Sequence, residues 1–365
     1  MRKVLPIGID VGASRAKLVQ LAASGSKYSV IACAKVDLPN LSGMTAAARE
    51  EALLGRITEK LKSGRFRGSD CISALAAAEV AIRNVRVPCV DAEELERVVR
   101  DEAKNKFSFN LAEATLNYLV AGEVHHGEDK RLEVILFAAE NQALEAHVAR
   151  LRRMKLNPVS LDVPQCAMFR TFERYLRRKA DENEVNVFID MGGITTVVIT
   201  RGRDVLFIKN LSRGGVSFNE SVSARLGLTS EEAAALRLKL SRSSNADETT
   251  DSATRQAVLD ALRPEIDELA EEISKCLRYH SVTFRGARPE CLTFVGGETH
   301  EGSIPALLGE RLGLPVVIGQ PFRGLDTANL GSDVDRRGML SEWTVAFGLS
   351  LKGAFLNGRS RRLAS

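Results

Sequence analysis

None of the six cysteines, Cys33, Cys71, Cys89, Cys166, Cys276 and Cys291, stands in a Cys-x-x-Cys pair, and most lie in apolar surroundings. That excludes a zinc ribbon or a disulfide framework and predicts buried thiols in a reducing compartment. No run approaches the roughly 18 consecutive apolar residues of a membrane-spanning helix. The basic start MRKVLP meets Asp10 where a secretory leader needs its apolar core, so no leader is expected. The reading is a cytoplasmic protein whose membrane role, if it has one, runs through partners. Charge of one sign is also missing: 51 Lys and Arg against 47 Asp and Glu leave a net charge of +4. A nucleic-acid binder needs a dense basic patch. The nearest approach is the tail NGRSRRLAS, with Arg359, Arg361 and Arg362, read as a solvated end. Aromatic residues are few, at 5%.

What is present is ordinary globular material. The chain has 365 residues, 44% hydrophobic and 27% charged, enough for two domains or one domain in two lobes with full cores. Strand-like and helix-like runs alternate, which is the α/β signature. Strands are expected at Ile7–Asp10, Lys17–Leu21, Tyr28–Lys35 and Ile72–Ala77, with a helix at Thr45–Ser63. The stretch from about 81 to 155 differs in texture and reads as an inserted small α/β unit. Its helix has Asp91 as N-cap, Glu94 to complete a capping box, and Leu95, Val98 and Val99 on one face. Further helices are expected at Gln165–Arg178, over LTSEEAAALRLKL with Thr229 or Ser230 as cap, and from Arg263 to Phe284. The polar segment SRSSNADETTDSATR reads as a loop. The adjacent His125 and His126 read as a solvated loop, Trp343 as a packing residue, and the charges from Arg97 to Lys106 as the wet face of a helix.

One frame occurs twice. IGIDVGASRAKLVQL and VFIDMGGITTVVIT both run strand, Asp, any residue, Gly, small residues, strand, so that Asp10 matches Asp190 and Gly12 matches Gly192. A repeated turn suggests a duplicated fold whose two turns face across a cleft. Glycine and small side chains let backbone N–H groups approach phosphate oxygens. An aspartate beside phosphate requires a cation between them, and magnesium fits because it binds through carboxylates, waters and phosphates. Two such hairpins would clamp a nucleoside triphosphate tail. Lys17 would neutralise phosphate, and Thr195 and Thr196 would donate hydroxyl hydrogen bonds. The plainer alternative is that each Asp-x-Gly only makes a tight turn. Two of them, with a third Gly-Gly after a strand at Gly296 and Gly297, favour the phosphate reading.

On these residues the chain resembles the actin-like ATPase superfamily of actin, Hsp70, sugar kinases and FtsA. IGIDVGASRAKLVQL resembles its first phosphate loop, FIDMGGITTVVIT its second and LTFVGGETHEGSIPALLGERLGLPV its adenosine motif. From about residue 5 to 354 it is similar to the PilM family of type IV pilus assembly. The segments that carry this are VRVPCVDAEELERVVRDEAKNKFSFNLAEATLNYLV, KLNPVSLDVPQCAMFR, SRGGVSFNESVSARLGLTSEEAAALR and WTVAFGLSLKG. The resemblance implies an α/β, actin-like ATPase fold: two duplicated RNase H-like lobes around a nucleotide cleft, with a small α/β subdomain inserted in the first lobe. The first lobe would span 1–183, with the insert at 81–155 and a closing helix, 343–356, returning to it. The second would span 184–342, with a helical subdomain at 217–290.

The resemblance also implies ATP and Mg2+ as ligands. Asp10 and Asp190 would hold the magnesium through its waters. Gly12, Ala13, Ser14 and Lys17 would form the first phosphate loop, and Gly192, Gly193, Thr195 and Thr196 the second. Gly214 and Gly215 would line the nucleotide from the second lobe, Gly296, Gly297 and Glu298 would pack around ribose and adenine, and Gln165 would orient a water. Three positions depart from the family pattern. Ala13 stands where Ser usually follows the loop glycine, a loss of about 0.5–1.5 kcal/mol for a neutral hydrogen bond. Ala234 and Arg237 stand where a Glu and a Lys usually reach the nucleoside, which implies weaker adenosine contacts. ATP binding with weak or absent turnover is the expectation.

The implied role is a cytoplasmic adaptor at the inner membrane. It would hold the cytoplasmic N-terminal tail of PilN, a single-span membrane protein, in a groove between the first lobe and the insert, and couple that platform to the pilus motor ATPases. A sugar kinase-like phosphotransferase is the first alternative; it needs a general base, and Asp162 is the candidate. An FtsA-like membrane-tethered filament is the second, and the short tail NGRSRRLAS, with little apolar face, argues against it. Oligomeric state stays open.

Overall fold

Apolar runs cut by short polar turns fold here into two sheets with the same wiring. The structure is a computed structural model that describes residues 2–38, 44–126, 129–242, 250–327, 330 and 340–356. The first sheet holds β1 (Lys3–Val4), β2 (Ile7–Val11), β3 (Arg15–Ser24), β4 (Lys27–Asp37) and, after helix α1 (Ala46–Ser63), β5 (Asp70–Ala74). An excursion follows: β6 (Ala81–Pro88), α2 (Ala92–Ala103), β7 (Ala114–His126), β8 (Asp129–Glu140) and α3 (Asn141–Arg153). The chain then returns through β9 (Asn157–Asp162) and α4 (Pro164–Glu173). The second sheet is built from β10 (Val185–Met191), β11 (Thr195–Arg201) and β12 (Asp204–Leu211). Three helices follow, α5 (Gly215–Leu226), α6 (Ser230–Arg242) and α7 (Thr250–Phe284), then β13 (Leu292–Val295), α8 (Ser303–Leu312), β14 (Val316–Ile318) and α9 (Thr344–Lys352).

In the first sheet β2 pairs antiparallel with β3, β3 antiparallel with β4, β2 parallel with β5 and β5 parallel with β9. In the second, β10, β11, β12, β13 and β14 repeat those four pairings in the same directions. The repeat seen in the sequence is therefore a repeat of whole sheets, as the actin-like fold requires. Fully buried Ile7, Ile9 and Leu18 fill one core, and Val187, Ile189, Val197 and Ile199 fill its counterpart.

Helix α9 closes the first lobe. It is apolar on every side and buried from Thr344 to Leu351, with Trp343 fully buried just before it. It sits between β2 and α4, and two glycines make the fit possible. A Cβ on Gly8 would lie 2.1 Å from the Ala346 carbonyl oxygen, and one on Gly348 would lie 1.8 Å from the Ala167 carbonyl oxygen. The Ser350 hydroxyl donates to the Pro6 carbonyl at 2.8 Å and accepts from the Leu21 amide at 3.1 Å.

The excursion forms a separate three-stranded antiparallel sheet in the order β6-β8-β7. Helix α2 covers one face, burying Leu95 and Val99 against Val85, Val87, Val134 and Leu136. Helix α3, at the end of the expected insert, buries Leu151 with Ile7 and Ile9 of the first sheet instead.

Several local expectations are corrected. Asp91 is the N-cap of α2, but its side chain makes no capping hydrogen bond, and Glu94 pairs with Arg97. The capping box forms at α6, where the Thr229 hydroxyl accepts from the Glu232 amide and the Glu232 carboxylate accepts from the Thr229 amide. Helix α7 begins at Thr250 and runs through Pro264, so Thr250–Arg255 is helix where a loop was expected; residues 243–249 lie outside the described residues. Buried Val258, Ala261, Leu262 and Ile266 carry one apolar face across the proline, so packing overrides the lost backbone bond. Helix α4 ends at Glu173, short of Arg178. His125 and His126 pair with Lys130 and Asp129 in a hairpin and are not in a loop. Cys33, Cys71 and Cys276 are buried as expected, but Cys89 is exposed. The tail 357–365 lies outside the described residues.

Candidate functional site

Each repeated Asp-x-Gly stands at the end of a central strand, and the hairpin register fixes what faces it. Asp10 lies opposite Lys17, and Asp190 lies opposite Thr196. Lys17 and Thr196 are therefore equivalent positions in the two lobes, one a cation and the other a hydroxyl. The Gly12 amide closes the first turn on the Arg15 carbonyl at 2.9 Å, and the Gly192 amide closes the second on the Ile194 carbonyl at 3.1 Å. Ala13, Ser14 and Gly193 keep backbone amides with no acceptor among the described residues. The hairpin tips meet: a Cβ on Gly193 would lie 2.7 Å from the Ala13 Cβ.

Gly214 and Gly215 back the second hairpin from behind. The Gly215 amide donates to the Gly192 carbonyl at 2.8 Å, and the Val216 amide donates to the Gly193 carbonyl at 3.2 Å. A Cβ on Gly214 would lie 2.9 Å from the carbonyl oxygens of both Gly192 and Gly193. These glycines hold the turn that the N-terminus of α5 meets.

The carboxylates carry more charge than their protein neighbours balance. The Lys17 ammonium is 3.8 Å from Asp10. Burial raises the Asp10 pKa against the pull of Lys17. Asp190 is pushed up to about 6, first by burial and then by the negative charge of Asp10. Gly296, with φ of +93°, lets the adenosine-motif turn press on this group; a Cβ there would lie 2.3 Å from Asp190 Oδ1. Two desolvated, mutually repelling carboxylates with one lysine fit a bound divalent cation, which would relieve both causes at once. Among the described residues no group of three or more acidic, His or Cys side chains is placed to hold a metal ion by itself. The donor set therefore suits magnesium that keeps its waters and leans on phosphate, and does not suit an all-protein cage.

Gln165 is buried at the start of α4, and its side-chain amide donates to Asn210 Oδ1 at 2.9 Å. Thr196 donates to the same oxygen at 3.0 Å, and Asn210 donates to the Ala77 carbonyl at 2.8 Å. Gln165 Oε1 and Thr195 Oγ1 are buried without a hydrogen-bond partner among the described residues. An unpaired buried carbonyl of this kind is what positioning a water requires. Asn210 anchors this network, and nothing in its local sequence marks it.

On the adenosine side, Arg237 is buried in α6 and bound by three partners. It donates to Glu298, to Glu301 at 3.0 and 3.1 Å, and to Asn219 at 2.7 Å, with its guanidinium 5.3 Å over the Phe218 ring. Burial opposes its charge, but Glu298 and Glu301 outweigh that and raise its pKa. Arg237 and Glu298, both expected near the nucleoside, thus neutralise each other, and Glu298 also meets Gly215. Gly297 faces open space.

Glu342 was not foreseen. It is buried just before Trp343, 2.9 Å from the Lys35 ammonium and 3.5 Å from the His300 ring. Burial acts to raise its pKa, but the His300 hydrogen bond and the charges of Lys17 and Lys35 hold the carboxyl well below the usual range. Its partners, Lys17, Lys35 and His300, lie far from it along the chain, so spacing cannot reveal it.

A second concave region lies between the first lobe and the three-stranded sheet. It is a cavity of about 740 Å³ with Leu75, Leu161, Val163 and Cys166 on one wall and Leu119 and Phe137 on the other. Strand β7 runs along it and is an edge strand, paired among the described residues with β8 alone. Asp162 lines this cavity but lies 2.7 Å from the Arg170 guanidinium and 3.4 Å from the Lys352 ammonium. The carboxylate expected to serve a phosphotransferase is thus engaged in two ion pairs.

The sequence profile of the family described as type IV pilus assembly protein PilM matches residues 8–354. A solved PilM-PilN type IV pilus biogenesis complex is 25% identical, covering 95% of this chain and 98% of that one, with a TM-score of 0.76. The ethanolamine utilization protein EutJ from Carboxydothermus hydrogenoformans is 12% identical over 96% of this chain and 89% of its own, with a TM-score of 0.52, a likeness of fold alone. The matched residues take in both Asp-x-Gly hairpins, the three-stranded insert and the closing helix. On that evidence the chain belongs to the PilM family of type IV pilus assembly proteins, and its two sheets of matching topology are the duplicated fold that the repeated turn suggested.

Proposed function

We propose that this chain is a nucleotide-responsive adaptor of the type IV pilus inner-membrane platform, binding magnesium-ATP in its cleft and the cytoplasmic tail of PilN in its groove. The observation that carries the reading is the groove itself: a cavity with apolar walls and a charged rim beside a strand edge that is unpaired among the described residues, in a chain of this family. An extended peptide adds to such an edge through main-chain hydrogen bonds while alternate side chains enter the apolar wall. Leu119 and Phe137 supply that wall. Among the described residues no helix is long and apolar enough to cross a membrane. In this reading the chain is cytoplasmic and reaches the inner membrane through PilN, with the pilus motor ATPases as further partners.

In the cleft, Asp10 and Asp190 would hold magnesium through its waters, and the magnesium would neutralise phosphate charge. Lys17 supplies a point cation, and the amides of Ala13, Ser14 and Gly193 supply donors. A triphosphate between the hairpins requires the Ala13–Gly193 contact to part, so occupancy and lobe separation are linked. Gln165 presents an acceptor for a water but is restrained by Asn210, which accords with weak turnover.

Titration calorimetry with magnesium-ATP on the wild type and on Asp190→Ala, with phosphate release followed in the same samples, tests the cleft. Binding lost in the variant, with little turnover in the wild type, is expected. Titration with a PilN tail peptide on the wild type and on Leu119→Arg tests the groove, and a loss of at least 10-fold in affinity is expected. A wild type that binds neither ligand sinks the proposal.

A further inference from the structure

The two walls of the groove meet in a shared apolar core, where Phe137 packs with Leu75 and Val163, but the sheet wall is also fastened to the second lobe. One wall, with Leu161, Val163 and Cys166, belongs to the first lobe. The other is the three-stranded sheet, and that sheet is tied to the second lobe by a polar cluster around one buried carboxylate. Glu133, in β8, has no exposed surface. It accepts hydrogen bonds from Arg86 Nε of β6 at 2.9 Å and from the hydroxyl of Tyr279 in α7. Arg86 also donates to the hydroxyl of Thr283, one turn along α7, at 3.0 Å. Around this cluster Asn84 donates to the Ile208 carbonyl at 3.3 Å, and Phe284 packs beside Gly122 at the bulge of β7.

Strand alternation places Glu133 on the same face of β8 as Phe137 and Ala139, which line the groove. At about 3.3 Å per residue, the tie and the groove wall lie roughly 13–20 Å apart along one strand. The rest of α7 is packed into the second lobe, with Ile266, Leu269 and Ile273 in the core under α5. Arg213, next to Gly214 and Gly215 behind the second hairpin, donates to Glu265 of the same helix at 2.7 Å.

We infer that the Arg86–Glu133–Tyr279–Thr283 cluster is a latch that makes the inserted sheet move with the second lobe, so that lobe separation at the cleft changes the width of the peptide groove. This rests on the adaptor reading, because it assumes that nucleotide occupies the cleft and a peptide the groove. The hairpins must part for a triphosphate, the second lobe carries α7, α7 carries β8, and β8 carries Phe137 away from or toward the first lobe. A buried carboxylate suits the task. Once its partners leave, it is desolvated and unpaired, so the cluster stays closed while the lobes move.

The test measures linkage in the full-length chain. The affinity for a PilN tail peptide is determined with and without saturating magnesium-ATP, in the wild type, in Tyr279→Phe and in Tyr279→Phe/Thr283→Val, which keep the packing volume. The wild type is expected to show a change of roughly 5-fold or more. In the double variant each ligand alone should bind as in the wild type, and the ratio should fall to within about 2-fold of unity. A ratio unchanged in the double variant, or a wild type that binds both ligands without linkage, overturns the latch and leaves the adaptor reading standing. Failure of both ligands to bind the wild type overturns the adaptor reading itself. A measurement without ligands keeps the latch testable in that event: hydrogen exchange of the β8 amides around Glu133 should be faster in the double variant. Unchanged exchange there overturns the latch.

Discussion

The Ala13 methyl rests against Gly193, so the two phosphate hairpins of this protein touch through a position where the second has no side chain. Only glycine permits that approach, since a Cβ at 193 would lie 2.7 Å from the Ala13 Cβ. The departure from the family pattern at Ala13 therefore sits at the contact between the lobes.

Gly193→Ala should lower stability by about 1–3 kcal/mol through that overlap. Adding Ala13→Gly should restore most of it, because the second change removes the clashing methyl. Urea unfolding of the three chains checks this, and an additive pair of losses would show that the two residues do not press on each other.

Asp190→Asn should change stability in a pH-dependent way. The folded pKa of about 6 lies above that of an unfolded aspartate, near 3.8, so the folded state binds the proton more tightly. The ionised group then costs stability progressively as pH rises from about 4 to about 6, and the cost is full above that. With no divalent cation present, Asp190→Asn should be more stable than the wild type by on the order of 2 kcal/mol at pH 8 and equal to it near pH 3. Thermal melts across pH in EDTA measure this. A variant less stable at pH 8 would contradict the assigned repulsion from Asp10.

Arg237→Met should destabilise by about 2–3 kcal/mol at pH 7.5, because Glu298 and Glu301 lose the cation that offsets their desolvation. Burial already raises the Glu301 pKa against the pull of Arg237, and removing Arg237 raises it further. A carboxylate with a raised folded pKa loses stability as pH rises, so the deficit should shrink toward pH 5. Denaturant midpoints at both pH values check the sign.

Gly348→Ala should be the most damaging single methyl, at about 3 kcal/mol or more. The added Cβ would stand 1.8 Å from the Ala167 carbonyl oxygen, where α9 crosses α4, and neither backbone can retreat without opening the first lobe. A melting temperature within a few degrees of the wild type would contradict this tight crossing.

Residue order alone sets the parts governed by short-range rules. Alternating apolar residues specify strands, and the repeated Asp-x-Gly requires the same turn twice, so β2–β3 and β10–β11, with Asp10 and Asp190 at equivalent registers, were legible before any coordinates. The family likeness extended this to the insert and the closing helix. Local rules failed where packing outweighed them. Helix α7 runs through Pro264 because its buried face continues on both sides, and Asp91 begins α2 without a side-chain cap. Which distant groups meet follows from the folded chain and not from any local pattern. Asn210 under Gln165, Glu342 between Lys35 and His300, Arg237 held by two carboxylates, and Glu133 bound to a helix of the other lobe all join segments far apart in the chain. Burial and charge at those positions come from three-dimensional neighbours, and a side chain's pKa, pairing and role follow those neighbours more closely than its place in a motif.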